Sequence, residues 1–190
     1  NISGATSSTY DAGTHTQSTW YRRAAISAAG CGTKYTSAVK VTVYANLGSG
    51  SIGNSQTVCY GGDPSSFTST ASASGGNGSY SYLWQKSTNS GSTWSDISGA
   101  TSATYNSGTL TATTQFRRKV VSCSQTKYSN TVTVTVQPNL NAGSIGNGQT
   151  VCYEGDPSAF TNTGSASGGN SSYSYQWQKS TNGGSTWSDI

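Results

Sequence analysis

Valine and threonine alternate without interruption from Thr131 to Val136, so Val132, Val134 and Val136 face one side of an extended strand and Thr131, Thr133 and Thr135 the other. Shorter runs of the same kind fill the stretch before it, and turn residues interrupt them roughly every 8 to 12 positions. The pattern predicts strands over Gln56–Tyr60, Phe67–Ala73 and Tyr80–Gln85, the third with Tyr80, Tyr82 and Trp84 on one face. It further predicts strands around Thr93–Ile97 and Ala103–Tyr105, then Thr114–Ser122 and Tyr128–Val136 as a final pair. Gly61-Gly62-Asp63-Pro64 and Gly75-Gly76-Asn77-Gly78 read as turns. No window has the spacing of an amphipathic helix. The expectation is an all-β fold, a sandwich of antiparallel strands.

The pattern also repeats. Ser49–Ile97 returns as Ala142–Ile190 with 40 of 49 positions identical, at a period of 93 residues that carries Cys59 to Cys152, Trp84 to Trp177 and Trp94 to Trp187. The opening segment matches the second half of the same unit: Ile2-Ser3-Gly4-Ala5-Thr6 corresponds to Ile97–Thr101, and Tyr21-Arg22-Arg23 to Phe116-Arg117-Arg118. Three segments follow from this: 1–46, the C-terminal half of a repeat; 47–139, a complete repeat; and 140–190, the N-terminal half of the next. The reading expects a window onto a longer tandem array, whose function belongs to the array. Ala45–Gly48 and Pro138–Asn141 are the connections, short enough to hold neighbours roughly end to end.

Composition narrows the chemistry. Charged residues make up 8% of the chain and hydrophobic ones 32%, so the surface is one of hydroxyls and amides with few groups for acid, base or metal work. The net charge of +4 comes from scattered basic residues, clustered only at Arg22-Arg23 and Arg117-Arg118-Lys119, and nucleic-acid binding is not expected. No apolar run approaches the length of a membrane span. Each repeat carries one early and one late cysteine, which suggests an oxidised extracellular protein. On this reading Cys59 bonds Cys123, closing a loop of 65 residues, and Cys31 and Cys152 pair with residues outside the window.

Val58-Cys59-Tyr60, Tyr80 to Trp94, Asp96 to Tyr105, Phe116-Arg117-Arg118, Cys123 and Val132 to Val136 form one compound pattern. It resembles the immunoglobulin-like tandem repeats of giant secreted proteins of the Bacteroidetes, which include SprB-type gliding-motility adhesins and related surface fibres. The resemblance implies tandem immunoglobulin-like β-sandwich repeats, export by type IX secretion, a place on the cell surface, and an adhesive or scaffolding role. The opening segment departs from it, with three extra residues between Arg23 and Cys31 and with Trp20 where the complete copy has Gln115.

Candidate residues sort accordingly. Trp84, Val132, Val134 and Val136 are expected in the core. Trp94 and Trp187 follow a Gly-Ser-Thr turn and are the candidates for contact with a ligand or another chain, although packing in the core or at the sheet edge is the commoner fate of such residues. Tyr80 and Tyr82 belong to the same question. Asp63 and Asp96 are the sole carboxylates of the complete unit, one in a turn and one at a strand edge, not the pair facing a cleft that glycoside hydrolysis needs, and His15 has Leu110 at its counterpart. Arg117 and Arg118 must face opposite ways, one of them expected to cover the sheet edge and meet a carboxylate. No catalytic residue, metal site or cofactor is expected. Neither connection offers the carboxylates calcium requires.

The function expected from these features is structural and adhesive: a segment of a very long surface fibre that holds a tip away from the cell. Its partners would be neighbouring repeats, identical chains in a filament, and a surface glycan or cell-surface target. The alternative is a polysaccharide-binding module that uses exposed aromatics near Trp94.

Overall fold

The computed structural model describes residues 1–190 as an all-β protein of sixteen strands without a helix. Segment 1–46 holds β1 (Thr19–Tyr21), β2 (Ala24–Ile26), β3 (Thr33–Tyr35) and β4 (Val39–Val41). Segment 47–139 holds β5 (Ser51–Gly53), β6 (Gln56–Val58), β7 (Thr68–Ala71), β8 (Ser81–Ser87), β9 (Ser95–Asp96), β10 (Thr114–Ser122), β11 (Gln125–Tyr128) and β12 (Val132–Val136). Segment 140–190 holds β13 (Ser144–Gly146), β14 (Thr161–Gly164), β15 (Gln178–Lys179) and β16 (Ser188–Asp189).

The middle segment is organised by β10. This strand pairs along one side with β8 and along the other with both β11 and β12; β9 extends the sheet beyond β8 and β6 beyond β12. All these pairings are antiparallel except that of β6 with β12. Its side chains alternate strictly, with Thr114, Phe116, Arg118, Val120 and Ser122 buried and Gln115, Arg117, Lys119 and Val121 half-buried on the other face. The β5–β7 pair and Phe67, bridged to Tyr105, cover the inner face. Between the layers lie Ile52, Phe67, Trp84, Phe116, Val132 and Val134, with a smaller cluster of Leu47, Ala73 and Val120 against which Tyr80 and Tyr82 pack. Burying each of these large apolar side chains is worth about 1.5–3 kcal/mol, enough to hold a small unit together.

Trp84, Val132 and Val134 are essentially inaccessible, whereas Val136, at the end of its strand, is only half-buried. Tyr128–Val136, expected as one strand, is interrupted: Tyr128 ends β11 and β12 starts only at Val132. Ser129 and Asn130 break it because their side chains serve neighbouring backbone: the Arg118 N–H donates to Ser129 Oγ, and the Asn130 amide exchanges two hydrogen bonds with the backbone of Ile52. The Asn130 side chain thereby acts as a short piece of strand, tying β5 to the start of β12. β5 itself lies ahead of the first strand the alternation predicts, three residues being too short to show a period of two.

The disulfide expected between Cys59 and Cys123 is not formed: both thiols are free and exposed, as are those of Cys31 and Cys152. Topology forbids the bond. Cys59 follows Val58, which is level with Val136, past the Thr114 end of β10; Cys123 follows Ser122 at the other end. Eight residue steps of extended strand from Thr114 to Ser122 span roughly 26 Å, against a Cα separation of about 4–7 Å for a disulfide.

The same geometry places the connections. Residues before Leu47 arrive at the Cys123 end, where the Leu47 N–H donates to Gln125 Oε1 and the Gly76 N–H to the Ala45 carbonyl. The chain leaves at the Cys59 end, with the Gln137 N–H on the Val58 carbonyl, and Gly169 then donates to the Pro138 carbonyl as Gly76 does to Ala45. Gly75 and Gly168 have φ of +69° and +78°, and a Cβ on either would overlap the backbone carbonyl of Asn46 or Asn139. Glycine is required at this one position because the connection lies directly on the turn.

The flanking segments fold into two-stranded pairs, β1–β4 and β2–β3 in one, β13–β14 and β15–β16 in the other. Their apolar side chains stay open: Ile145 is 63% exposed, Phe160 55% and Trp177 48%, where Ile52, Phe67 and Trp84 are at most 2%.

Candidate functional site

The outer face of the middle sheet carries the most elaborate side-chain arrangement. Between β8 and β9 the chain folds around Asn89: its Oδ1 accepts from the Thr93 N–H and the Ser87 hydroxyl, its Nδ2 donates to Thr93 Oγ1, and Ser87 Oγ accepts from the Gly91 N–H. This closed loop delivers Trp94 to the flank of β10. Arg117, at an outward position of β10, lies with its guanidinium carbon 4.2 Å from the Trp94 ring centre and 4.1 Å from that of Tyr128 on β11. Its Nε donates to Gln85 Oε1 at 2.7 Å, and Gln85 Nε2 donates to Asp96 Oδ1 at 2.6 Å. The cation is clasped between two aromatic rings and linked to a carboxylate through an amide, so four strands are joined across their outer face.

Arg118, one residue on, points into the core. It is fully buried, and one terminal nitrogen donates to Ser69 Oγ and to the Ala103 carbonyl, while Nε and the other terminal nitrogen have no partner. The guanidinium carbon is 4.5 Å from the Tyr82 ring centre. Loss of water pushes the Arg118 pKa down and the neighbouring Tyr82 phenol pulls it partly back; guanidinium is basic enough to remain charged. The carboxylate expected beside one of these arginines meets Arg117 only through Gln85. Trp84 donates its indole N–H to the Ser102 carbonyl and stacks at 5.5 Å on Tyr105, whose phenol pKa is raised by burial.

Trp94 is half-buried with one ring face occupied by Arg117, whereas Trp187, which has no arginine over it, is 60% exposed and donates only to the Gly184 carbonyl. Asp96 is engaged by Gln85, and the shallow depressions beside Leu83 and beside Ile97 contain no carboxylate. His15 sits within bonding distance of the Gly13 carbonyl and the Tyr21 hydroxyl, inside its own segment. No three His, Cys, Asp or Glu side chains are grouped as a metal would need, and no helix is long and apolar enough to cross a membrane. The Trp94–Arg117–Tyr128 clasp is absent from the sequence-based expectations because its members come from three separated positions. A usable signal was present: Arg22 and Tyr35 recur at the matching places of the first segment, and Trp187 at that of the third.

No curated protein and no solved structure matches the chain. A family model described as a domain of unknown function, DUF8696, matches it three times, over residues 1–45, 48–138 and 141–190. The chain, covered almost throughout by these matches, belongs to the DUF8696 domain family.

Proposed function

We propose that this chain is a structural and adhesive stretch of a long, secreted surface fibre, built from tandem immunoglobulin-like β-sandwich units and devoid of catalysis. The observation that carries the reading is that the chain enters the middle unit at one pole and leaves it at the other, with each connection bonded to a glycine turn of the unit that follows. Units joined in this way advance along a line and resist bending at the joints. The low charge, the hydroxyl-rich surface and the resemblance to Bacteroidetes surface repeats support an extracellular setting of the SprB type, exported by type IX secretion, where the span presents a tip to a glycan or another cell-surface target.

Two measurements test this. Small-angle scattering from polypeptides with increasing numbers of consecutive units should give a rod that lengthens by at least about 26 Å per unit, the span of nine-residue β10. A maximum dimension that fails to grow in proportion overturns the spacer role. Antibody against the repeat should label intact cells of the source organism, and labelling only after lysis overturns the surface placement.

A further inference from the structure

The fold fixes the Arg117 side chain in place yet leaves its charge unanswered. The Trp94 and Tyr128 rings hold the guanidinium between them, and Nε is tied to Gln85 Oε1. Neither terminal nitrogen has a bond within the chain, and unlike the unpartnered nitrogens of Arg118 both are open to solvent. A guanidinium meets a carboxylate through two parallel hydrogen bonds, and these nitrogens are half or more of the fork that makes them. Because folding has already immobilised this long side chain, an anion arriving there meets a preformed receptor and little ordering is left to oppose binding.

The surroundings favour an anion. Lys119, the next outward residue of β10, stands roughly 7 Å further along the strand. It borders a shallow depression of about 250 Å³ that Ser81, Leu83, Thr101 and Val121 also line. Pairing register puts one carboxylate on this face, Asp96, whose Oδ1 already accepts from Gln85 Nε2. Lys86 and Lys127 pair with the inward residues Phe116 and Val120 and belong to the opposite face. Parts of the arrangement recur along the chain: Arg22 lies 4.1 Å from the Tyr35 ring centre, and Gln178 Nε2 donates to Asp189 Oδ1 at 2.9 Å.

We propose that the outer face of β8, β10 and β11 binds an acidic polysaccharide, with a uronate carboxylate seated on the Arg117 guanidinium and an adjoining sugar ring in the depression beside Lys119. Charge complementarity selects an anion, and the character of the face selects this kind. β10 is paired along both sides and offers no main-chain groups to a peptide. Arg117 and Lys119 alone are too sparse for a nucleic acid, which needs a dense basic stripe. Hydroxyls and an ammonium beside an aliphatic floor suit a sugar ring, which is polar at its rim and apolar on its faces. Trp94 and Tyr128 wall the arginine and are not a stacking platform, since the guanidinium covers the ring faces turned towards it. This site deepens the surface-fibre reading and rests on it only for where the polysaccharide is met. Repeated along one fibre, such sites grip a long polymer together.

The experiment uses the 190-residue chain with Arg22→Gln as a common background, so that one arginine site is read. Titration calorimetry with oligogalacturonides should show saturable binding, and neutral dextran none. Arg117→Gln should weaken binding at least about tenfold, the worth of a charge-assisted pair. Arg117→Lys, which keeps the charge and loses the fork, should weaken it nearly as much. Lys127→Gln removes the same charge from the opposite face and should leave affinity within about twofold of the parent. Near-ultraviolet dichroism of each variant reports that the middle unit stays folded. Absence of binding, equal binding of dextran, full affinity in Arg117→Lys, equal losses in Arg117→Gln and Lys127→Gln, or tighter binding of poly-glutamate would each overturn the proposal. None of these outcomes bears on surface location or rod shape, which the preceding measurements test separately.

Discussion

Two adjacent arginines show how one residue of register decides chemistry. Arg118 is buried among aromatic rings with two of its nitrogens unpartnered, so its charge is held at a desolvation cost that its few bonds do not repay. Replacement by an unbranched apolar side chain keeps the volume and removes that cost. Arg118→Met should leave stability within about 1 kcal/mol of the parent or raise it, whereas Arg118→Ala, which empties the same space, should lose about 2–4 kcal/mol in urea unfolding. Arg117 stands in the opposite situation, half-exposed and bonded between rings. A double-mutant cycle of Arg117→Ala with Trp94→Ala should give a coupling of about 0.5–1 kcal/mol, retained in moderate salt because the rings exclude water. A coupling indistinguishable from zero would mean that the two side chains are merely neighbours.

Among the elements, the β10–β11 hairpin is the one whose turn chemistry opposes its geometry. Ser122 pairs with Gln125, leaving a two-residue turn of Cys123 and Ser124 with φ of 49° and 61°, both in the region that side chains avoid. Asn-Gly suits that turn. Cys123→Asn with Ser124→Gly should raise the unfolding midpoint by about 1 kcal/mol equivalent, a gain that would be missing if the hairpin took another shape. The hairpin was also the least legible part of the sequence. Ser122-Cys123-Ser124-Gln125 contains no Gly, Pro or Asn to announce a turn, and the run after Lys127 looks extended through Ser129 and Asn130, whose bonding side chains end it. By contrast β10 and β12 were evident from alternation, since nine and five residues are enough to show a period of two.

For the molecule as a whole, the joints decide its behaviour. Each rests on a glycine in a left-handed conformation beneath a connection, and Gly75→Val would have to lift that connection away. Scattering from Gly75→Val should report a more flexible chain, with the middle unit's near-ultraviolet signal kept; an unchanged profile would show that the joint does not depend on this contact.

The sequence by itself determined which residues of one strand share a face, because the strand period is a local property of the backbone: it placed Tyr82 with Trp84 and Val132 with Val134, set Arg117 against Arg118, and exposed the 93-residue repeat. Only the tertiary structure decided which face turned inward and what met across space. Pairing register sent Cys59 and Cys123 to opposite poles and put Arg118 rather than Arg117 in the core. The reason is physical: burial requires a second layer, and whether one is present depends on contacts between residues distant in the chain, which no local alternation records.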